Sequence, residues 1–161
     1  TPAKAPEQKA KDKKEFSQTK ESLALSSRFE ENKGKIPFPL KGSYQIVNRF
    51  GKHQTNNSPN FDYKGIDILT TAGTDALCVF DGEVITVGIF ANYCKYVLVK
   101  HGKYYTYYQN FEKVYVKKGD KIKKGQAIGR ILTDITKDGT ILQFQLHENS
   151  AALNPETWLN K

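Results

Sequence analysis

Residues 63–71 read YKGIDILTT, and the reading of this run decides what kind of fold the chain makes. Behind Gly65 comes a short stretch of β-branched and apolar residues, the composition of a strand whose successive side chains point to opposite faces. The run carries a carboxylate, Asp67, toward whatever lies beside it. Four residues earlier stands Tyr63, at a place where a histidine would make the pair half of a zinc site.

The same texture extends outward in both directions. SYQIVNRF, DALCVF, GEVITVGIF, CKYVLVKHG, KYYTYYQNF and GTILQFQLHE are short strand-like runs set apart by Gly, Asp and Asn. Asp81-Gly82, between ALCVF and EVITV, predicts a tight hairpin, because this pair accepts the positive φ of a primed turn. Asp138-Gly139 repeats the signal ahead of ILQFQL. Many short strands with such turns predict an all-β sandwich or barrel from about Lys35 to the end. The polar segment Lys52 to Asp62 is the longest connection and a candidate rim of a site.

Toward the amino terminus the texture changes. Residues 1–14 are Lys, Ala, Pro and Glu with almost nothing to bury, a flexible linker and a trimmed or mature start. Phe16, Leu23, Ala24, Leu25 and Phe29 give a sparse helical stripe over 15–32, stopped near Gly34. So narrow a stripe predicts a helix that docks weakly or projects away, as the end of a coiled coil lying upstream would. IPFPL then breaks it, since each proline removes a backbone donor.

The whole chain of 161 residues suits one domain, and its 38% hydrophobic content excludes wholesale disorder. No apolar run approaches the ~18 residues that span a bilayer. A formal charge of +8 favours anionic partners, but no basic stripe interleaved with aromatics marks a nucleic-acid module. Cys78 and Cys94 sit in apolar runs, as buried thiols or as a pair in neighbouring strands; spacing leaves both open. VYVKKGDKIKKGQAIG (114–129) is a near-repeat that predicts a solvated lysine hairpin, with a turn at each glycine and Val114, Val116, Ile122 and Ile128 inward.

Several motifs occur together in one order: FG (50–51), KGIDI (64–68), GT (73–74), DGEV (81–84), VKHG (99–102), YTYYQNF (105–111), the lysine near-repeat, LQFQL (142–146) and NPETWL (154–159). In that order and spacing the chain resembles the lysostaphin-type zinc endopeptidases, or LytM domains, over roughly 36–159. The resemblance implies a mainly β LytM-type sandwich or barrel-sandwich with an open groove, preceded by a short N-terminal helix. Working members hold zinc with His-x-x-x-Asp and the second His of H-x-H-F-E, and use the first His of that motif and a Y-x-H histidine in the attack on a peptidoglycan crosslink. Carried onto this chain, the metal positions are Tyr63, Asp67 and Gln143. The assisting positions are Ile141 and Asn110, the latter following Tyr108. Only Asp67 matches, so the resemblance implies no zinc, no cofactor and no catalysis, since a catalytic zinc needs about three protein ligands. Bringing His147 into the motif requires a four-residue deletion and loses Phe144. His53 reads as a surface residue and His101 as a strand-end hydrogen-bonder.

The run FEENKGKIPFPLKGSYQIVNRFG most resembles the EnvC-like murein hydrolase activators, in which a LytM domain without zinc ligands follows a coiled coil. This implies a noncatalytic periplasmic or cell-envelope module of cell division. Its partner is an N-acetylmuramoyl-L-alanine amidase, bound in a groove of Tyr63, Asp67, Tyr108, Asn110, Ile141 and Gln143. Peptidoglycan is a further candidate ligand, and the upstream coiled coil a candidate contact with a membrane division complex. Three readings compete: an active zinc endopeptidase with a rearranged site, a peptidoglycan-binding domain with no enzyme partner, and a biotinyl or lipoyl carrier. The last lacks a modifiable lysine at either Asp-Gly turn.

Overall fold

The period-two runs become strands, and their pairing produces a layered, mainly β domain. The computed structural model describes residues 19–55, 58–90, 94–136 and 139–161, and for 52–55 and 58–61 the backbone alone. One helix, α1 (Lys20–Glu31), comes first. The strands follow in chain order: β1 (Ile36–Pro37), β2 (Gln45–Asn48), β3 (Gly51–Thr55), β4 (Ser58–Tyr63), β5 (Ile66–Thr70), β6 (Asp75–Leu77), β7 (Gly82–Ile89), β8 (Lys95–His101), β9 (Tyr104–Val114), β10 (Lys121–Ile122), β11 (Ala127–Ile131), β12 (Thr133–Asp134), β13 (Gly139–Glu148), β14 (Ala151–Leu153) and β15 (Leu159–Asn160). The main sheet runs β10-β7-β8-β9-β13-β5-β2, each neighbour antiparallel. β11 bends from β9 across to β6, and β1 lies parallel to β15.

One face of β8, β9 and β13 is apolar and closed over by the residues around β6 and β11. Val97, Tyr108 and Phe144 lie side by side across these strands, and Val99, Thr106 and Leu146 form the next row. All six are buried beneath Cys78, Val79, Ile128 and Ile131. Both cysteines are free thiols; the Cys78 thiol donates to the Phe80 carbonyl, and burial pushes its pKa up to about 12.

A polar chain threads this core. The His101 imidazole sits 2.8 Å from the Asp81 carbonyl through Nδ1 and 2.8 Å from Thr106 Oγ1 through Nε2. A carbonyl only accepts, so Nδ1 carries the proton and Nε2 accepts the Thr106 hydroxyl. The Tyr108 hydroxyl lies 3.1 Å from Thr106 Oγ1 and accepts the Val79 N–H. Each polar side chain of the series has a hydrogen-bond partner, which is what burial demands of polar atoms. This corrects the placement of Tyr108 in a partner groove: its side chain is fully buried, its ring edge-on to Phe144 at 5.3 Å.

Four further expectations change. Asp81-Gly82 is not a hairpin turn, because β6 pairs with β11 and β7 with β8 and β10. Gly82 is instead a close approach: a Cβ there would lie 2.5 Å from the Lys100 carbonyl oxygen. The Asp81 carboxylate accepts the Lys124 N–H and an Arg28 guanidinium hydrogen bond. Asp138 lies outside the described residues, though β12 and β13 on either side pair as a hairpin. The polar connection 52–62 is itself mostly the two-stranded β3–β4 hairpin.

The lysine near-repeat does not pair with itself. Lys117 N–H donates to the Asp120 carboxylate and Lys123 N–H to the Gln126 side chain, so each Lys-Lys-Gly-Asp/Gln closes its own turn. Gly119 N–H and the Asp120 carbonyl then bond Val84, while Gly125 N–H and the Gln126 carbonyl bond Cys78 in the same pattern. Two equal sequence units thus dock on two different segments through one geometry. Ile122 and Ile128 are buried, and Val114 and Val116 pack against the core.

The helix is the largest correction. Thr19 caps α1, its hydroxyl accepting the Ser22 N–H, while residues 15–18 lie outside the description. Far from projecting, α1 buries Phe29 completely. That ring stacks on Tyr104 at 4.6 Å, lies over His101 at 5.3 Å and meets Phe80 edge-on. Ser26 Oγ accepts the Lys103 N–H, and Glu30 accepts both the Tyr104 hydroxyl and the Lys103 ammonium. Few apolar residues suffice because one ring, Phe29, fills a seat among Phe80, His101, Tyr104 and Trp158. Among the described residues, no helix is long and apolar enough to cross a membrane.

Candidate functional site

The opposite face of the main sheet is open. Alternation sends Ile141 and Gln143 of β13 to it while Thr140, Leu142 and Phe144 face the core. Gln143 lies directly opposite Asp67 on β5 and Gln109 on β9. A bulge in β2 brings Asn48 opposite Asp67 from the other side. Together with Val47, Leu69, Phe90, Cys94, Leu132 and Asp134 these residues line a groove of about 990 Å³.

At its floor, Asp67 is 7% exposed. Its Oδ1 accepts the Tyr63 hydroxyl and its Oδ2 accepts the Asn48 amide at 2.8 Å. Burial, then the adjacent carboxylate, raise the Tyr63 pKa, so the phenol holds its proton and remains a donor. Asn110 occupies a bulge in β9 at φ +83°, a left-handed conformation that asparagine tolerates. Its amide donates to the Ile141 carbonyl at 2.7 Å and accepts the Cys94 thiol at 3.3 Å. The bulge breaks the alternation of β9, so that Gln109 and Asn110 both reach the groove.

Tyr63, Asp67, Asn110, Ile141 and Gln143 therefore meet in one place, and Tyr108 does not. Asn48, Gln109 and Cys94 were missed by sequence reasoning. The alternation Tyr105, Tyr107, Gln109 held a signal for Gln109; Asn48 arrives through a bulge, which alternation does not encode. His101 is buried and His147, on the open face, bonds Gln145 at 2.9 Å. His53 is described only in its backbone. Among the described residues no three His, Cys, Asp or Glu side chains gather as a metal cluster. At the groove floor both oxygens of the Asp67 carboxylate are engaged.

Comparison with known proteins places this geometry among relatives. The model of peptidase family M23 matches residues 62–155. An uncharacterized metalloprotease of Haemophilus influenzae is 30% identical over 129 residues, 78% of this chain and 27% of that protein. The murein hydrolase activator EnvC of Escherichia coli is 26% identical over 133 residues, 80% of this chain and 30% of that protein. The solved structure of a zinc-containing peptidase from Vibrio cholerae superposes with a TM-score of 0.64 at 26% identity, covering 75% of this chain and 39% of that one. The chain spans about a third or less of the length of these curated relatives.

Proposed function

Because this chain belongs to peptidase family M23, yet meets the groove of that fold with a tyrosine, amides and a carboxylate already bonded on both oxygens, we propose that it is a noncatalytic module that recruits and stimulates a peptidoglycan amidase. A zinc ion does not fit this donor set. The Tyr63 phenol keeps its proton, Gln143 offers only a weak neutral oxygen, and Ile141 offers no lone pair. Freed of a metal, the groove keeps a concave floor of amides and apolar side chains, suited to an inserted peptide segment of a partner. The similarity to a murein hydrolase activator supports this class of partner. In this reading the module works in the cell envelope during division. There α1 ends an upstream coiled coil that contacts a membrane division complex.

The test is dye release from labelled murein by a purified N-acetylmuramoyl-L-alanine amidase, with and without this protein, alongside zinc calorimetry. The protein alone should release no dye and bind no stoichiometric zinc, and the amidase should work faster in its presence. Release by the protein alone, abolished by Asp67→Ala, would sink the reading.

A further inference from the structure

The sheet face that floors the groove continues past it. Side chains directly opposite one another on antiparallel strands share a face, so the registers carry the floor from Gln109 to Tyr96, and in the next row from Gln145 through Tyr107 to Leu98. These side chains are half-buried, with no strand of the described residues laid over them. Two glycines shape the surface. A Cβ on Gly88 would fall 2.5 Å from the Tyr96 ring, so that ring lies down across β7 instead of standing out. A Cβ on Gly65 would meet Gln145 Cγ at 2.6 Å, so Gln145 lies across the backbone in the same manner. Tyr96 and Tyr107 stack on each other at 6.0 Å, and Phe90 joins Tyr96 at 4.7 Å. The result is a shallow aromatic strip edged by primary amides.

We propose that this strip binds a glycan strand, an N-acetylated sugar chain, running out of the groove. Its side chains carry no charge, which matches an uncharged polyhydroxylated chain and not an acidic peptide or a nucleic acid. Aromatic rings take the apolar C–H faces of sugar rings, and Gln109 and Gln145 bond hydroxyl and acetamido groups as donors and acceptors at once. The strip is continuous with the groove, so a partner enzyme held there would sit beside its polymer. The proposal rests on the reading of the chain as a murein-directed member of its family, and it identifies the ligand as the sugar backbone.

The test uses the whole chain without any amidase, so its outcome is separate from that of the stimulation assay. The probe is the uncharged N-acetylglucosamine hexamer, with free stem peptide as the contrast, followed by titration NMR. The hexamer should bind, shifting Tyr96 and Tyr107, and the stem peptide should not. Tyr107→Ala should weaken sugar binding roughly tenfold, the effect of losing a central aromatic contact. Tyr107→Phe should keep it, and Lys118→Ala, in a turn elsewhere, should leave it unchanged. Absence of sugar binding by the wild type, equal binding by folded Tyr107→Ala, or binding of the stem peptide alone would overturn the proposal.

Discussion

Asp67 and His101 show how single side chains are committed by their neighbours. At Asp67 the two donors Tyr63 and Asn48 occupy the carboxylate. The register, however, still sets Gln143 directly across from it. The double variant Tyr63→His/Gln143→His should therefore gain stoichiometric zinc binding by calorimetry, with Asp67 as the third ligand, while either single variant binds far more weakly. At His101 the ring is neutral because burial drives its pKa from the ordinary 6.5 down to about 4. The unfolded chain takes up the proton first as pH falls, so this contribution to stability is complete above about pH 6.5. It is lost between 6.5 and 4, by about 3 kcal/mol in all. Histidine NMR should show His101 neutral with the proton on Nδ1 at pH 6 and titrating only near 4; titration near 6.5 would refute the buried chain. Tyr108→Phe strands the Val79 N–H at the same chain and should cost about 1–3 kcal/mol in urea unfolding, leaving amidase stimulation intact.

Among the elements, α1 tests the packing argument most directly. Its anchor is one ring, Phe29, seated among Phe80, His101, Tyr104 and Trp158. Phe29→Ala should cost about 3–5 kcal/mol of stability by chemical denaturation. Amide exchange should show α1 protected with the β8–β9 turn, and limited proteolysis should spare the segment between α1 and β1. Gly102, at φ +70°, passes so close to the helix that a Cβ would lie 2.0 Å from Ser26 Oγ. Gly102→Ala should therefore loosen the helix while leaving the groove residues folded. The paired lysine turns work by the same economy, each using its glycine N–H and one carbonyl to hold a neighbouring segment.

Over the whole molecule, the groove and the helix seat lie toward opposite ends of β9, marked by Asn110 and Tyr104. Binding in the groove should thus be separable from the lysine-rich turns. Ile141→Ala or Tyr63→Ala should weaken amidase stimulation by roughly 1–3 kcal/mol of binding, measured by dye release at matched concentrations with circular dichroism as the check on folding. Lys118→Ala and Lys124→Ala should change it little. If the lysine variants fail and the groove variants do not, the basic face is the binding surface.

The sequence by itself determined the mainly β architecture, the inward Ile122 and Ile128, and the turns of the lysine near-repeat, because alternation and turn chemistry are local properties. Tertiary structure alone decided which of two adjacent tyrosines, Tyr107 or Tyr108, entered the core, since alternation fixes that they differ and not which one faces the second layer. It decided that Asp81-Gly82 is a close approach instead of a hairpin, because the clash with Lys100 comes from a strand elsewhere in the chain. The sparse stripe of α1 could not announce its docking, as the aromatic seat for Phe29 is assembled from β8, β9 and the chain end. Bulges at Val47 and Asn110 shift the parity of their strands, and that shift, set by pairing across the sheet, brings Asn48 and Asn110 to the groove.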